Sequence, residues 1–148
     1  MTNTAGAETD PKWAPDGTQI AFRYNDGGGD AVWIIDADGA TRTRVTTVAP
    51  STDPDWSPTL PPDGITRELA DTWILVSSMA AGNWDIFAVG PDGSEAIQLT
   101  SDPASDNGAA WSPDRSQVAF HSNRDGDSDS YVMNADGSDI QALTSNNV

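Results

Sequence analysis

Apolar residues in this chain fall in short runs: QIAF at 19–22, AVWII at 31–35, ILV at 74–76, DIFAV at 85–89, QVAF at 117–120 and SYVM at 130–133. No stretch sustains the 3.6-residue period of an amphipathic helix. Within each run the apolar positions are consecutive rather than alternating, as expected of strands covered on both faces. Turn residues separate the runs: Pro15-Asp16-Gly17, the glycines 27–29, and Asp-Gly at 38–39, 92–93 and 136–137. Asp-Gly between apolar runs is a hairpin signal, because both turn positions tolerate positive φ. The pattern is that of an all-β chain.

The runs recur in three copies. The first is TDPKWAPDGTQIAF from Thr9, then RYNDGGGDAVWIIDADG to Gly39, closing on Val45 and Thr46. The second begins TDPDWSP at Thr52, passes WILVSSMAAGNWDIFAVGPDG and closes on Leu99 and Thr100. The third runs DNGAAWSPDRSQVAF from Asp106, then HSNRDGDSDSYVMNADG to Gly137, closing on Leu143 and Thr144. Phe22 to Trp33, Val76 to Phe87 and Phe120 to Tyr131 are each 11 residues apart; Trp33 to Gly39, Phe87 to Gly93 and Tyr131 to Gly137 are each 6. Trp13 to Phe22 and Trp111 to Phe120 are 9, whereas Trp56 to Val76 is 20, so the middle copy carries an insertion of 11 residues. Each copy predicts four short antiparallel strands, the fourth ending at the Val-Thr or Leu-Thr pair. The units span approximately 9–48, 52–101 and 105–146 of a single segment, 1–148.

The units WAPDGTQIAF, WSPDRSQVAF with SNRDG, and YVMNADGS ending in LT resemble the WD-repeat-like blade of TolB-type β-propellers. The resemblance covers residues 9–146. It implies three four-stranded antiparallel blades, half or a fragment of a ring of about six. Departures are Ala14 for the usual Ser, Arg115 for the turn Gly, and the enlarged first hairpin of the middle copy. Propellers usually close with 4 to 8 blades. Three blades therefore leave two open faces, with Trp, Ile and Phe side chains expected to be bare. A second copy closing a six-bladed ring, or further blades of a longer chain, would cover them.

Charge narrows the partners. Against 7 basic residues stand 23 acidic ones, of which 20 are Asp, for a formal net charge of -16. Such a surface repels nucleic acid and attracts a cation or a basic protein patch. Lys12 is the only lysine. Asp-rich, Lys-poor surfaces suit high salt, but Asp is also the residue that tight turns demand. The absence of Cys excludes a disulfide framework, a thiolate metal site and a cysteine nucleophile. The opening MTNTAGAETD has neither a basic flank nor an apolar core, so it is not read as a secretory leader. No apolar run approaches the roughly 20 residues that span a membrane, and membrane insertion is not expected.

Candidate chemistry is sparse. Asp125, Asp127 and Asp129 have the alternating spacing of a calcium loop, but position six is Ser130, position twelve is Asp136, and Tyr131 begins to read as strand. The expectation is a solvated hairpin and no metal. His121 is the only histidine and follows the second strand, at the position of Arg23 and Ser77 in the other copies. A structural role is expected for it, since nothing pairs it with a nucleophile elbow. The glycines 27–29 sit in a hairpin and open no helix, which fails the context of a phosphate loop. Asp36, Asp38, Asp92 and Asp136 read as turn formers, and Trp33, Phe87 and Tyr131 as blade packing. The inserted hairpin, roughly Thr59 to Thr72 with Pro61-Pro62-Asp63-Gly64 and the Arg67-Glu68 pair, is what the repeat does not require. Such an elaboration is either a tolerated insertion or a binding loop.

The expected function is a non-catalytic propeller module that binds a protein or peptide, without catalytic, cofactor or metal residues. The alternative is the propeller portion of a larger enzyme, such as a prolyl-oligopeptidase-type serine peptidase. A small hydrolase or lyase with its site at the channel mouth would want His among the acids, and one histidine argues against it. A periplasmic or extracellular location is implied by the resemblance alone.

Overall fold

The computed structural model describes residues 6–47, 50–58 and 72–145. Its strands form three four-stranded antiparallel sheets in simple sequential order. The first blade comprises β1 (Glu8–Trp13), β2 (Gln19–Asn25), β3 (Asp30–Asp36) and β4 (Arg42–Arg44). The second comprises β5 (Ser51–Trp56), β6 (Ile74–Ser78), β7 (Asp85–Val89) and β8 (Ala96–Gln98). The third comprises β9 (Asp106–Trp111), β10 (Gln117–Ser122), β11 (Asp129–Asn134) and β12 (Gln141–Ala142). Three propeller blades are thus the architecture, and the repeat spacings reappear as register: Phe22, Val76 and Phe120 pair with Trp33, Phe87 and Tyr131. Among the described residues no helix is long and apolar enough to cross a membrane.

The core lies between blades. The first blade turns Ala21, Val32, Ile34 and Val45 toward Trp56, Ile74, Val76 and Val89 of the second. The second turns Trp73, Leu75, Ile86, Ala88 and Leu99 toward Val118, Phe120, Tyr131 and Met133 of the third. Ile74 and Leu75 are adjacent in β6 and serve opposite interfaces, which is why consecutive apolar residues were required. All five residues of β6 are buried, whereas β10, with a neighbour on one side, alternates exposed and buried.

The closing Val-Thr and Leu-Thr pairs lie just beyond the fourth strands instead of within them. The Thr46, Thr100 and Thr144 hydroxyls accept the N–H groups of Val32, Ile86 and Ser130 at 2.9, 2.9 and 3.0 Å. The N–H groups of Val45, Leu99 and Leu143 return to the carbonyls of the same three residues at 2.9, 2.8 and 2.8 Å. The hydroxyl satisfies a donor that the short fourth strand no longer reaches.

The Asp-Gly turns fall where expected and use positive φ at one position only. Gly39, Gly93 and Gly137 have positive φ, but the preceding aspartates do not. Instead Asp38, Asp92 and Asp136 accept the N–H of the residue two places on, at 2.8, 3.0 and 3.0 Å. Asp16 and Asp114 do the same in the first hairpins. These are Asx turns, and they account for much of the aspartate content. Hydrogen bonds from Ser112 and Ser116 hold the Asp114 carboxyl down at about 2.

Gly93 and Gly137 answer a second constraint. A methyl group there would lie 2.6 Å from the Val45 carbonyl oxygen and 2.5 Å from that of Leu99, each on the preceding blade. Arg115, at the position of Gly17, keeps a positive φ of 60° and is buried, with Nη2 donating to Ser57 Oγ of the second blade at 2.7 Å. The departure from glycine thus supplies an inter-blade anchor.

One of the two open faces is as expected. The first blade presents Trp13, 60% exposed, with Ile20 and Ile35 half-buried. Phe22 is not bare, because the Arg42 guanidinium lies over it and over Tyr24 and Trp33, 4.0 to 5.2 Å from the ring centres. The far face of the third blade carries no Trp or Phe; Ala119, His121, half-buried Val132 and exposed Leu143 stand there. Alternation along β10 and β11 sends the large residues inward and leaves small and polar ones outside.

Leu75→Ala removes a fully buried side chain from the second interface and is expected to cost ~2–5 kcal/mol. Chemical denaturation should show a lower midpoint; an unchanged midpoint would mean that the interface is not where stability resides.

Candidate functional site

The inner strands β1, β5 and β9 carry the same irregularity. Pairing with the second strand slips between Thr9 and Lys12, between Thr52 and Asp55, and opposite Ala119 and His121. At the slip the residue three before the Trp takes a left-handed conformation: Asp10 at φ 55°, Asp53 at 53° and Gly108 at 63°. Asp and Gly tolerate this region more readily than most bulkier residues do. Bulges of this kind re-aim side chains out of a ladder.

The result is an open groove of about 310 Å³ along the three inner strands, lined by Asp10, Lys12, Asp53, Asp55 and the backbone around Gly108. Thr9 Oγ1 donates to Asp10 at 3.0 Å and Thr52 Oγ1 to Asp53 at 2.9 Å, so neighbouring hydroxyls steady both carboxylates. Arg23 stands 4.0 Å from Asp10. Asp55 is more enclosed and accepts the Trp111 N–H of the next blade at 3.0 Å. Burial pushes its pKa up; the Trp111 bond and the Lys12 charge oppose that without cancelling it. The arrangement presents fixed negative charge to whatever enters. The repeated Thr-Asp-Pro ahead of Trp was visible in the sequence, but its bulge was not.

The other predicted positions fall as follows. Asp125, Asp127 and Asp129 are brought together in the β10–β11 hairpin, each offering a carboxylate oxygen within 4.8 Å of the others. His121 is exposed on β10, in a strand position and not a loop. The amides of Gly27 and Gly28 bond to the side chains of Asn25 and Asp26, both at 2.9 Å, and so do not form a phosphate cradle. Tyr131 packs in the core, Phe87 partly so, and Trp33 lies under Arg42. Thr59–Asp71 of the inserted hairpin lie outside the described residues.

A putative TolB from Agrobacterium tumefaciens superposes on this chain with a TM-score of 0.77 and 25% identity, over 93% of this chain and 46% of its own. The blades are TolB-like β-propeller blades in fold and repeat. No family model matches the chain. A chain of a nidogen/laminin complex shares the fold, with a TM-score of 0.71 at 11% identity over 97% of this chain and 50% of that one. In sequence the TolB-like blades are similar to the uncharacterized peptidase YuxL of Bacillus subtilis (strain 168), 31% identical over 117 residues, 74% of this chain and 16% of that protein. The chain thus spans half or less of each of these proteins.

The raised pKa of Asp55 has a definite sign for stability. Protonated Asp55 favours the fold below the ordinary carboxylate range, and that contribution is lost as pH rises through the raised value. Asp55→Asn keeps an acceptor for Trp111 without the buried charge. It should therefore melt above the wild type at pH 7, by roughly 2–5 °C, and the gap should narrow toward pH 4. A gap independent of pH in thermal melts would show that Asp55 does not titrate abnormally.

Proposed function

We propose that this chain is a non-catalytic binding module, a half-ring that pairs with a second copy and takes a basic segment of a partner protein in its acidic inner groove. The observation that carries the reading is the groove itself. It runs across all three blades, is built by one repeated bulge, and gathers Asp10, Asp53 and Asp55 around a single lysine. Electrostatic attraction of that kind speeds encounter and selects partners by charge. The likeness to a TolB protein and to a nidogen/laminin complex supports a propeller that meets other proteins, and an extracytoplasmic setting goes with the TolB-like family.

Ring closure rests on repetition. Trp13, Ile20, Phe22, Trp33 and Ile35 hold the positions of Trp56, Ile74, Val76, Phe87 and Val89, which the preceding blade covers in the second unit. Ala119, Val132 and Leu143 hold the positions of Leu75, Ala88 and Leu99, which cover the third. The open faces are therefore the two halves of an interface the chain already makes twice. The buried donors Trp33 Nε1, Arg42 Nε and Arg42 Nη2, which no acceptor in the described residues meets, lie with the first of these faces. A methyl at Gly39 would meet nothing within 4 Å, where Gly93 and Gly137 touch the blade before them. A second copy turned by a two-fold axis presents each face to its complement.

A second reading has one observation in its favour. The 31% identity to a peptidase is consistent with blades that belong to a larger hydrolase. Labelling of the intact native protein by a fluorophosphonate serine-hydrolase probe would support it; absence of labelling favours the binding module.

Light scattering is expected to find a species of twice 15.6 kDa, reduced to a monomer by Trp13→Glu. A monomeric wild type, or a dimer indifferent to Trp13→Glu, overturns ring closure. Tryptophan fluorescence should report saturable binding of an Arg-rich peptide, weakened at least ~10-fold by Asp10→Asn with Asp53→Asn, and weaker at high salt. Equal binding of an acidic peptide, or affinity unmoved by the double variant, would remove the groove from the reading.

A further inference from the structure

The β10–β11 hairpin holds an anomaly that neither the propeller fold nor the groove accounts for. Asp129 opens β11 at 2% exposure. Its Oδ1 accepts the Thr144 hydroxyl at 2.6 Å, while its Oδ2 is buried with no hydrogen-bond partner. An unpaired buried carboxylate oxygen is costly and calls for a partner.

The second blade shows what the ordinary solution is. Asp85 occupies the equivalent place, paired with Ser78 as Asp129 is with Ser122. Thr100 donates to its Oδ1 at 3.3 Å, as Thr144 does in the third blade, but Gln98 Nε2 donates to its Oδ2 at 3.2 Å. Gln98 pairs with Phe87 across the sheet, and the residue paired with the equivalent Tyr131 is Ala142. The third blade has therefore lost the donor that completes the aspartate. The first blade avoids the problem by placing Ala31, fully buried, at this position.

In place of the missing donor, the hairpin adds two more carboxylates. Asp125 and Asp127, both exposed, bring an oxygen within 4.8 Å of the one that Asp129 offers and of each other. Arg124, next to Asp125 in the chain, is engaged elsewhere, for its Nη2 is bonded to both oxygens of fully buried Asp106 at 3.1 Å. Like charges brought this close repel, and a cation among them would turn that repulsion into attraction.

We propose that Asp125, Asp127 and Asp129 form a calcium site, in which buried Asp129 is the strand-anchored ligand and Asp125 and Asp127 close over the ion from the turn. Ca²⁺–oxygen distances of about 2.3–2.6 Å allow two ligands on one ion to lie up to about 5 Å apart, and the three oxygens all fall within 4.8 Å of one another. Mg²⁺, with bonds of about 2.0–2.1 Å, demands near-ideal octahedral geometry and dehydrates reluctantly, which suits a site with two exposed turn carboxylates less well than the adaptable shell of Ca²⁺ does. The shell of oxygens that calcium prefers is then completed by water at the exposed side. The site departs from the helix-flanked calcium loop, which is why Ser130 and Asp136 need not be ligands: the third ligand is fixed by a β-ladder instead of a following helix.

Calorimetric titration of the whole, chelator-treated protein with CaCl₂ is the test. One saturable site is expected, with Tm raised by roughly 3–6 °C at tenfold excess over Kd and Ca²⁺ bound at least ~10-fold more tightly than Mg²⁺. Asp125→Asn with Asp127→Asn changes exposed positions only and should fold like the wild type, yet lose the Tm shift. Because Asp129→Asn removes a buried group that Thr144 holds, its role is read separately from terbium luminescence sensitised by neighbouring Tyr131, expected to fall at least ~10-fold in that variant. No heat and no Tm shift in the wild type, a shift retained by the double variant, or equal affinity for Mg²⁺ would each overturn the assignment.

Discussion

The structure depends on burial between blades. A single four-stranded sheet of this kind cannot enclose its own apolar side chains, and here each blade becomes a core element because another lies against it. The second blade shows this in full: β6 buries every residue, sending Ile74 and Val76 one way and Leu75, with Trp73 just before the strand, the other. The polar links across the same seams follow the apolar contact. Trp56 Nε1 donates to the Lys12 carbonyl at 3.0 Å, Gly108 N–H to Ser77 Oγ at 3.1 Å, and Arg115 to Ser57. Each satisfies a group that stacking has removed from water.

The same constraint accounts for the asymmetry of the two ends. The first blade, without a predecessor among the described residues, meets its exposed aromatic face with Arg42, a cation laid over Phe22, Tyr24 and Trp33. In the third blade the corresponding position is Ile140, which packs against the core shared with the second. A guanidinium over rings shields apolar area while keeping its charge solvated in part. The end of the third blade needs less, since its outward residues are small or polar.

Aspartate serves several ends on this framework. In the turns it replaces a backbone acceptor, and at Asp16, Asp92 and Asp114 the amides and hydroxyls it receives hold it ionised. At the inner-strand bulges it tolerates a left-handed backbone and faces the groove. Asp85 and Asp129 are buried beside the closing threonine, where one oxygen is always answered and the other depends on what the fourth strand supplies. A net charge of -16 is therefore a sum of local roles, and charge by itself distinguishes no face of the molecule.

The three blades, their strand count and their pairing register were legible in the sequence, because the spacing from Phe22 to Trp33 and on to Gly39 is set by the rigid rise of paired strands and by a turn of defined length. The calcium candidate was legible as a spacing and was read as a solvated hairpin; the observation that bears on it, the unpartnered Asp129 Oδ2, was not, because the donor that would complete it belongs to a neighbouring strand. The Asp-Gly turns were legible in place but not in backbone detail, since the aspartate uses its side chain to close the turn and leaves positive φ to glycine alone. The groove stayed hidden because a bulge is a property of two strands together, and Asp10 and Asp53 show their alignment only when β1 and β5 lie side by side. What the sequence determined alone is what repeats along the chain at short range. What the tertiary structure decided is which carboxylates meet, since that depends on blades packing across dozens of residues, where no local spacing carries the information.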